Sequence, residues 1–429
     1  MNKFLETIRN AFAMPDLRKK LLYTLLIIII FRIGAAIPVP FIDPKALADL
    51  VNPQAAGASA GIFGYIDVLT GGAFSRATIF AMSVTPYINA SIIIQLLTIA
   101  IPALERLQKE GEVGRKKLAQ ITRYVTVVLG VMQGLFYYLA LRNTVISNGN
   151  LFVAIYKAVV IIAVFTAGTA LMMWLGEQIN EKGIGNGISV LLFAGILSRA
   201  PSAWAYLIKL WNLGGMNYVL VPAIAILAVL VIAAIVFMNN AERRIPVQYA
   251  KRVVGRKMYG GQNTFIPIKV TMSGVMPIIF ASSIVAIPAT IMQLFSLQNN
   301  AFFKWFNPTG GIYAVIYFVL IIGFNYFYVN IQYNPHEIAN NLKKNNGGIP
   351  GIRPGKPTSD FIKRLLYRIT LIGALFLGII AIMPILLSTG GVNIALGGTT
   401  LLIIVGVALD TMRQLESQMM MRHYKGFLE

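Results

Sequence analysis

Ten apolar runs, each close to the thickness of a bilayer, leave this 429-residue chain few ways to fold. A transmembrane helix needs roughly 20 apolar residues. In hydrocarbon every backbone polar group must be satisfied within the segment, so each run is expected to be helical. The runs fall at 21–37, 78–101, 125–141, 152–175, 188–206, 219–238, 270–295, 311–331, 369–387 and 399–412. At 57% hydrophobic and 12% charged residues, too little polarity remains to clothe a water-soluble domain. The expected fold class is all-α, a polytopic membrane protein. Arg18, Lys19 and Lys20 precede the first run, as in a secretory leader. No small-x-small cleavage site follows cleanly, and Pro38-Val39-Pro40 closes the run, so it reads as an uncleaved first span. With no cysteine, disulfides and thiolate metal sites are excluded.

Charge sets the orientation. The N-terminal tail and alternate loops carry 5 (1–20), 6 (102–124), 1 (176–187), 7 (239–269), 7 (332–368) and 3 (413–429) Lys+Arg, or 29 of the 37. The opposite side holds only Lys45, Arg76, Arg142, Arg199, Lys209 and Lys304, while Arg32 and Lys157 sit within spans. Cytoplasmic loops carry the cationic excess, so both termini are expected in the cytoplasm, as an even span count also requires. Much of the net charge of +21 is therefore topology rather than a nucleic-acid footprint.

Two of the runs share the pattern Pro-x-Ile-x-Ala-Ser, at 86–91 and 277–282. In the topology above these spans, the second and seventh, cross in opposite senses. Pro-broken helices at matched places in inverted halves point to a translocation path. A fainter match joins spans five and ten, where Gly187-Ile188-Ser189 leads to Leu192 and Gly398-Thr399-Thr400 leads to Ile403. The chain thus divides into an N-terminal half (1–206, spans one to five), an external hinge loop (207–218) and a C-terminal half (219–429, spans six to ten). Val84, Ile88, Ile188, Leu192, Ile279 and Ile403 come from spans two, five, seven and ten. A ring of such side chains makes a constriction that dewets and blocks ions without a binding site. Taken singly, each is ordinary helix packing.

Three other segments stand out. Residues 57–74, reading GASAGIFGYIDVLTGGAF, are too short and Gly-rich to span, yet too apolar for a plain exterior loop. A re-entrant half-helix hinged at Gly71-Gly72 fits, the alternative being a loop folded over the outer surface. The loop 239–269 alternates apolar and polar at Ile245, Val247 and Tyr249 before a turn near Gly255, which predicts a protruding β-hairpin. The loop 332–368 carries Arg353 between Pro-Gly pairs that fix a tight tip. Long basic loops on one face suit an acidic or phosphate-rich partner.

Nothing supports catalysis, a cofactor or a metal. There is no P-loop or HExxH, and GIGNG at 183–187 lacks the strand–turn–helix context of a dinucleotide site. His336 and His423 read as solvated residues without partners. No Asp or Glu occupies a midplane position; Asp410 lies close to the inner end of span ten, and Arg32 and Lys157 can snorkel outward. Lacking midplane carboxylates, a solute transporter coupled to protons or cations fits worse than a passive channel. A membrane scaffold for the ribosome, using the loops alone, is the weaker third reading.

Several strings occur together: FRIG (31–34), GGAFSRA (71–77), PYINASIIIQLL (86–97), WLGEQINEKGIGNG (174–187), NLKK (341–344), PGIRPG (350–355) and GGTTLL (397–402). With them the chain resembles the SecY family, central subunits of bacterial protein-conducting channels, over nearly its whole length. The resemblance implies ten helices in two inverted, pseudo-symmetric halves around an hourglass pore. The six aliphatic residues match the pore ring, with Val84 and Leu192 departing from an all-isoleucine ring. Residues 57–74, with Gly61, Tyr65, Asp67, Leu69, Gly71 and Gly72, become a plug. Spans two and seven, with Thr85, Asn89, Ser91, Ser282, Ser283 and Thr290, become a lateral gate whose polar groups can bond across it. Arg243, Arg244, Lys251, Arg252, Arg256, Arg353 and Lys356 become the docking platform for the SecA ATPase and the ribosome. The same resemblance implies SecE and SecG subunits, signal-sequence-bearing clients, contact with membrane lipids, and a bacterial plasma-membrane location.

Overall fold

The computed structural model describes residues 12–43, 67, 71–140, 151–212, 217–249, 252–254, 257–259, 263–294, 310–389 and 398–425. All ten expected spans fall on helices. These are α1 (Pro15–Gly34), α2 (Thr85–Ala100), α4 (Glu112–Ala140), α5 (Leu151–Lys182), the pair α6 (Gly187–Leu197) and α7 (Ala200–Asn212), α8 (Asn217–Asn240), α9 (Met276–Leu294), α10 (Gly311–Gln332), α12 (Lys356–Thr389) and α13 (Gly398–Lys425). Two short helices, α3 (Pro102–Lys109) and α11 (Pro335–Lys344), lie between them. Among the described residues, five helical stretches are long and apolar enough on their own to cross a membrane, and the bent pair α2–α3 makes up to a sixth. The others are short, or mix their apolar stretch with polar ends. On α8, Ile226, Val229, Leu230 and Phe237 are exposed, a face that only lipid or another membrane helix covers without penalty. The chain is a multi-pass membrane protein.

Several boundaries differ from the sequence reading, each for a local reason. Spans two and seven do not begin at 78 and 270. Residues 78–84 and 270–275 are turns, and the helices start one residue before Pro86 and Pro277. Proline is at home in the first turn, where its missing N–H has no acceptor to lose and its φ is already helical. These prolines therefore open the two helices instead of breaking them. Pro102 acts differently: it cannot continue α2, and α3 leaves at an angle of 102°. On α3, Lys109 donates to Glu105 at 2.6 Å, which holds that carboxyl below the usual range. Span five is interrupted at Ser198–Arg199, and residues 207–212 of the expected hinge loop are helical, part of α7.

Three apolar clusters hold the bundle. One is built wholly from the N-terminal half, around Phe74, Met82, Ile161 and Phe165. Another belongs to the C-terminal half, around Ile235, Ile278, Tyr317, Ile321 and Leu377. The third joins the two halves through α1, α2, α5, α6, α9 and α13, with Phe31 stacked on Phe80 at 5.8 Å. The N-terminal half closes so tightly that a Cβ on Gly168 of α5 would stand 2.1 Å from the Ile79 carbonyl oxygen. Gly168→Val should therefore cost about 3 kcal/mol or more through overpacking, read as a lower thermal unfolding midpoint in detergent. An unchanged midpoint would mean that α5 shifts freely.

The two long loops meet in a small sheet. Strand β1 (Glu242–Tyr249) pairs antiparallel with β4 (Asn263–Lys269), from Glu242 opposite Lys269 to Gln248 opposite Asn263. The short β2 (Arg252–Val254) and β3 (Lys257–Tyr259) pair antiparallel as a separate two-stranded sheet. The expected hairpin is thus present, and β5 (Gly347–Gly348) from the second loop joins its other edge, giving the order β4-β1-β5. Period-two alternation buries Ile245 and Val247 against Leu342, Ile349, Ile362 and Leu366.

Candidate functional site

All six sequence-expected ring residues meet in the cluster that joins the two halves. Val84, Ile88, Leu192 and Ile403 are buried in it, and Ile188 and Ile279 are half-buried and packed against it. Their placement follows from where the helices start. Ile88 and Ile279 each stand three residues beyond the first residue of α2 and α9. Leu192 and Ile403 each stand five beyond Gly187 and Gly398, the first residues of α6 and α13. The repeat seen in the sequence is therefore carried by equivalent helix origins, and helical geometry turns equal offsets into a shared meeting point.

The α5–α6 connection sets one of those origins. Asn180 accepts from the Gly187 N–H at 2.7 Å, Asn186 caps α6 through the Ser189 N–H at 3.4 Å, and Thr24 of α1 accepts from Ile184 N–H at 3.1 Å. Tyr23 donates to Gln178 at 3.0 Å. Arg123 of α4 donates to Glu177 at 2.7 Å, a bond that raises the arginine above its ordinary pKa. The polar string at 174–187 is thus a fastening for Ile188 and Leu192.

The helices α2 and α9 touch, as a gate between halves requires. Their polar residues do not join them. Among the described residues no hydrogen bond links α2 to α9, and Ser282 donates to Ile279 of its own helix at 2.9 Å. Thr85, Asn89, Ser91 and Ser283 make no cross-gate bond, and the Thr290 side chain lies outside the described residues. A serine hydroxyl in an apolar helix finds its nearest acceptor one turn back, so the seam rests on apolar packing.

Of the plug positions, Gly61, Tyr65 and Leu69 lie outside the described residues, and Asp67, Gly71 and Gly72 lie within. Gly71 has φ +67°, and a Cβ there would meet the Gly195 carbonyl oxygen at 2.4 Å, so glycine is required on both counts. Asp67 is fully buried; it accepts from Ser75 N–H at 2.7 Å and pairs with Arg199. Sequence reasoning counted Arg199 only as an outer charge. Its position inside an apolar run was the signal that could have marked it.

On the platform, Lys251 and Arg256 lie outside the described residues, and only the backbone of Arg252 is described. Arg243, Arg353 and Lys356 are exposed. Arg244 pairs with Glu242 at 2.7 Å and lies over the exposed Phe265 ring, 5.0 Å from its centroid. The Arg353 tip is held by its backbone: Thr358 donates to the Arg353 carbonyl at 2.9 Å and Ile352 N–H to Ile349 at 3.0 Å, which leaves the guanidinium free to project. His336 is not a lone solvated residue. Its Nδ1 lies 3.0 Å from the Ser359 hydroxyl, tying α11 to α12; the His423 side chain lies outside the described residues. Lys157 lies over the Phe41 ring, 5.8 Å from its centroid. No group of metal-binding side chains occurs among the described residues.

The SecY family model matches residues 78–412. The protein translocase subunit SecY of Streptomyces galbus is 45% identical over 98% of this chain and 98% of its own length. Among solved structures, one described as a protein conducting channel superposes with a TM-score of 0.65 at 17% identity, covering 93% of this chain and 92% of the other. The Sec61 channel from the canine ribosome-channel complex gives 0.61 at 18% identity, with 93% and 92% covered. These structures share the ten-helix fold.

Proposed function

The chain belongs to the SecY family, and on that premise we propose how it conducts unfolded polypeptide across the membrane and releases apolar segments sideways into lipid. The observation that carries this reading is the meeting of six aliphatic side chains at matched offsets on α2, α6, α9 and α13. Such a waist has no polar group to recognise a solute. It fits a path that opens only when a chain displaces it. Residues 57–74 act as the outer plug, α2 and α9 as the lateral gate, and the two halves, 1–206 and 219–429, swing about the connection near 207–218.

The chain is a channel and not an enzyme, so the drive comes from outside, from SecA or a translating ribosome bound to the ribbon and the Arg353 tip. A Sec61 relative of the same fold is described in a ribosome-channel complex, which supports a ribosome as a partner. SecE and SecG complete the assembly in the bacterial plasma membrane, with both termini cytoplasmic, as the cationic loops favour.

Proteoliposomes of the chain with SecE, SecA, ATP and a signal-bearing client test the reading directly. Protected client is expected, and none would sink it. In the same assay Arg353→Glu should lower SecA-driven translocation roughly tenfold or more, the scale of a central interface arginine. Folding should be unaffected, since only the Arg353 backbone bonds within the tip.

A further inference from the structure

We propose that Gly168 of α5 and Gly373 of α12 are matched positioning residues, each a seat that pins the root of one gate helix to its own half and so sets where Ile88 and Ile279 stand. The inference rests on the channel reading above and adds contacts that hold while the halves move. Each glycine stands seventeen residues beyond the first residue of its helix, and α5 and α12 are the fourth spans of their halves. A Cβ on Gly373 would stand 2.5 Å from the Val270 carbonyl oxygen, and one on Gly168 would press still closer on that of Ile79. Ile79 and Val270 each stand seven residues before the proline that opens a gate helix, and nine before Ile88 and Ile279.

The two roots are tied down alike on a second side. Ile79 N–H donates to the Ile37 carbonyl at 3.1 Å, just past α1, and Val270 N–H donates to the Ala241 carbonyl at 2.9 Å, just past α8. One residue away, Pro38 pairs antiparallel with Thr78, as Glu242 does with Lys269. Each root is therefore caught between the end of its half's first span and a gap left by glycine in its fourth. Glycine weakens a helix interior, so its presence at one place in both halves marks a close approach of backbone. The obstacle is a carbonyl, which cannot turn aside as a side-chain tip can, so an added methyl must push the whole root. With the root goes the gate helix and its ring residue. A helix seated in this way travels with its half, and the seam parts only as the halves separate. In the topology proposed above α2 and α9 cross in opposite senses, so one seat lies toward the outer face and the other toward the cytoplasm.

The test introduces Gly168→Ala and Gly373→Ala, with Gly378→Ala as the control, each in the full chain in its native complex. Gly378 also lies on α12, but a Cβ there meets the Phe318 ring at 2.5 Å, a side chain that can swing away. Each seat variant should change which introduced cysteine pairs bridge α2 and α9, and should raise the resting conductance roughly tenfold. Gly378→Ala should leave both readings at wild type, whatever it does to the unfolding midpoint. Seat variants that lose stability yet keep the wild-type bridges and conductance overturn the proposal. A Gly378→Ala chain that moves both readings as far does the same, since general loosening then suffices. Should neither seat variant accumulate, labels on the exposed Leu371 of α12 and on Lys269, beside Val270, report on the wild-type seat. Their separation should hold when a trapped client parts the seam, and a changed separation overturns the seat. Bridging at rest needs no client, so a wild-type complex that protects no client sinks the channel reading, while the bridges still judge the seats.

Discussion

Ile88→Asn combined with Ile279→Asn is expected to make the closed chain leak ions at rest. The two positions stand at the same offset on α2 and α9, within the cluster that joins the two halves. An aliphatic waist blocks ions because water there finds no hydrogen-bonding partner. Each amide lowers that cost by about 2 kcal/mol or more. Two together then raise the rate of wet excursions by roughly a thousandfold, at one decade per 1.36 kcal/mol. Planar-bilayer recordings of the purified complex without client check this. A wild-type baseline from the double variant would mean that the six residues are packing and nothing else. The single variants should fall between, because the remaining isoleucine still narrows the dry zone.

Joining α2 to α9 by a disulfide should abolish translocation, and reduction should restore it. The natural chain has no cysteine, so any bridge formed belongs to the introduced pair. Cysteines at Thr85, Asn89 or Ser91, tested against Ser282 or Ser283, sample a seam whose helices already touch. A bridge needs Cα atoms within about 7 Å, so only well-placed pairs will close. Among the described residues no hydrogen bond crosses this seam, and its contacts there are side-chain packing. An apolar signal with about eight leucines gains about 2.4 to 5 kcal/mol on reaching lipid, enough to compete with a modest apolar contact. An oxidised chain that still exports at the wild-type rate would show that clients pass without parting these helices.

The sequence and the structure agree most where one local rule decides the outcome. Apolar runs must be helical in lipid, and all ten carry helices, apart from the turns at 79–84 and 270–275 and the break at Ser198–Arg199. Matched strings in the two halves placed six aliphatic residues in one cluster because equal offsets from equal helix starts need no tertiary knowledge. The starts themselves were misjudged. Pro86 and Pro277 looked like breaks inside long spans, yet they sit in first turns, where proline is favoured. What remained illegible depended on distant partners. Nothing near Arg199 announces Asp67, and nothing in Gly347-Gly348 announces that it will extend a ribbon begun at Glu242. His336 likewise looked solitary until α12 brought Ser359 beside it.

The β1–β4 ribbon has a mechanical consequence. Paired over seven positions, it is an arm of about 23 Å. Its foot is gripped by Arg413 of α13, which donates to the Asn239 carbonyl at 2.6 Å and to the Asn240 side chain at 2.8 Å. At the other foot, β4 runs within a few residues into α9. Sideways load on the arm is thus delivered to the two helices that bear Ile279 and Ile403. Load on the far end of the ribbon works a crank whose axle carries the aliphatic cluster that joins the two halves.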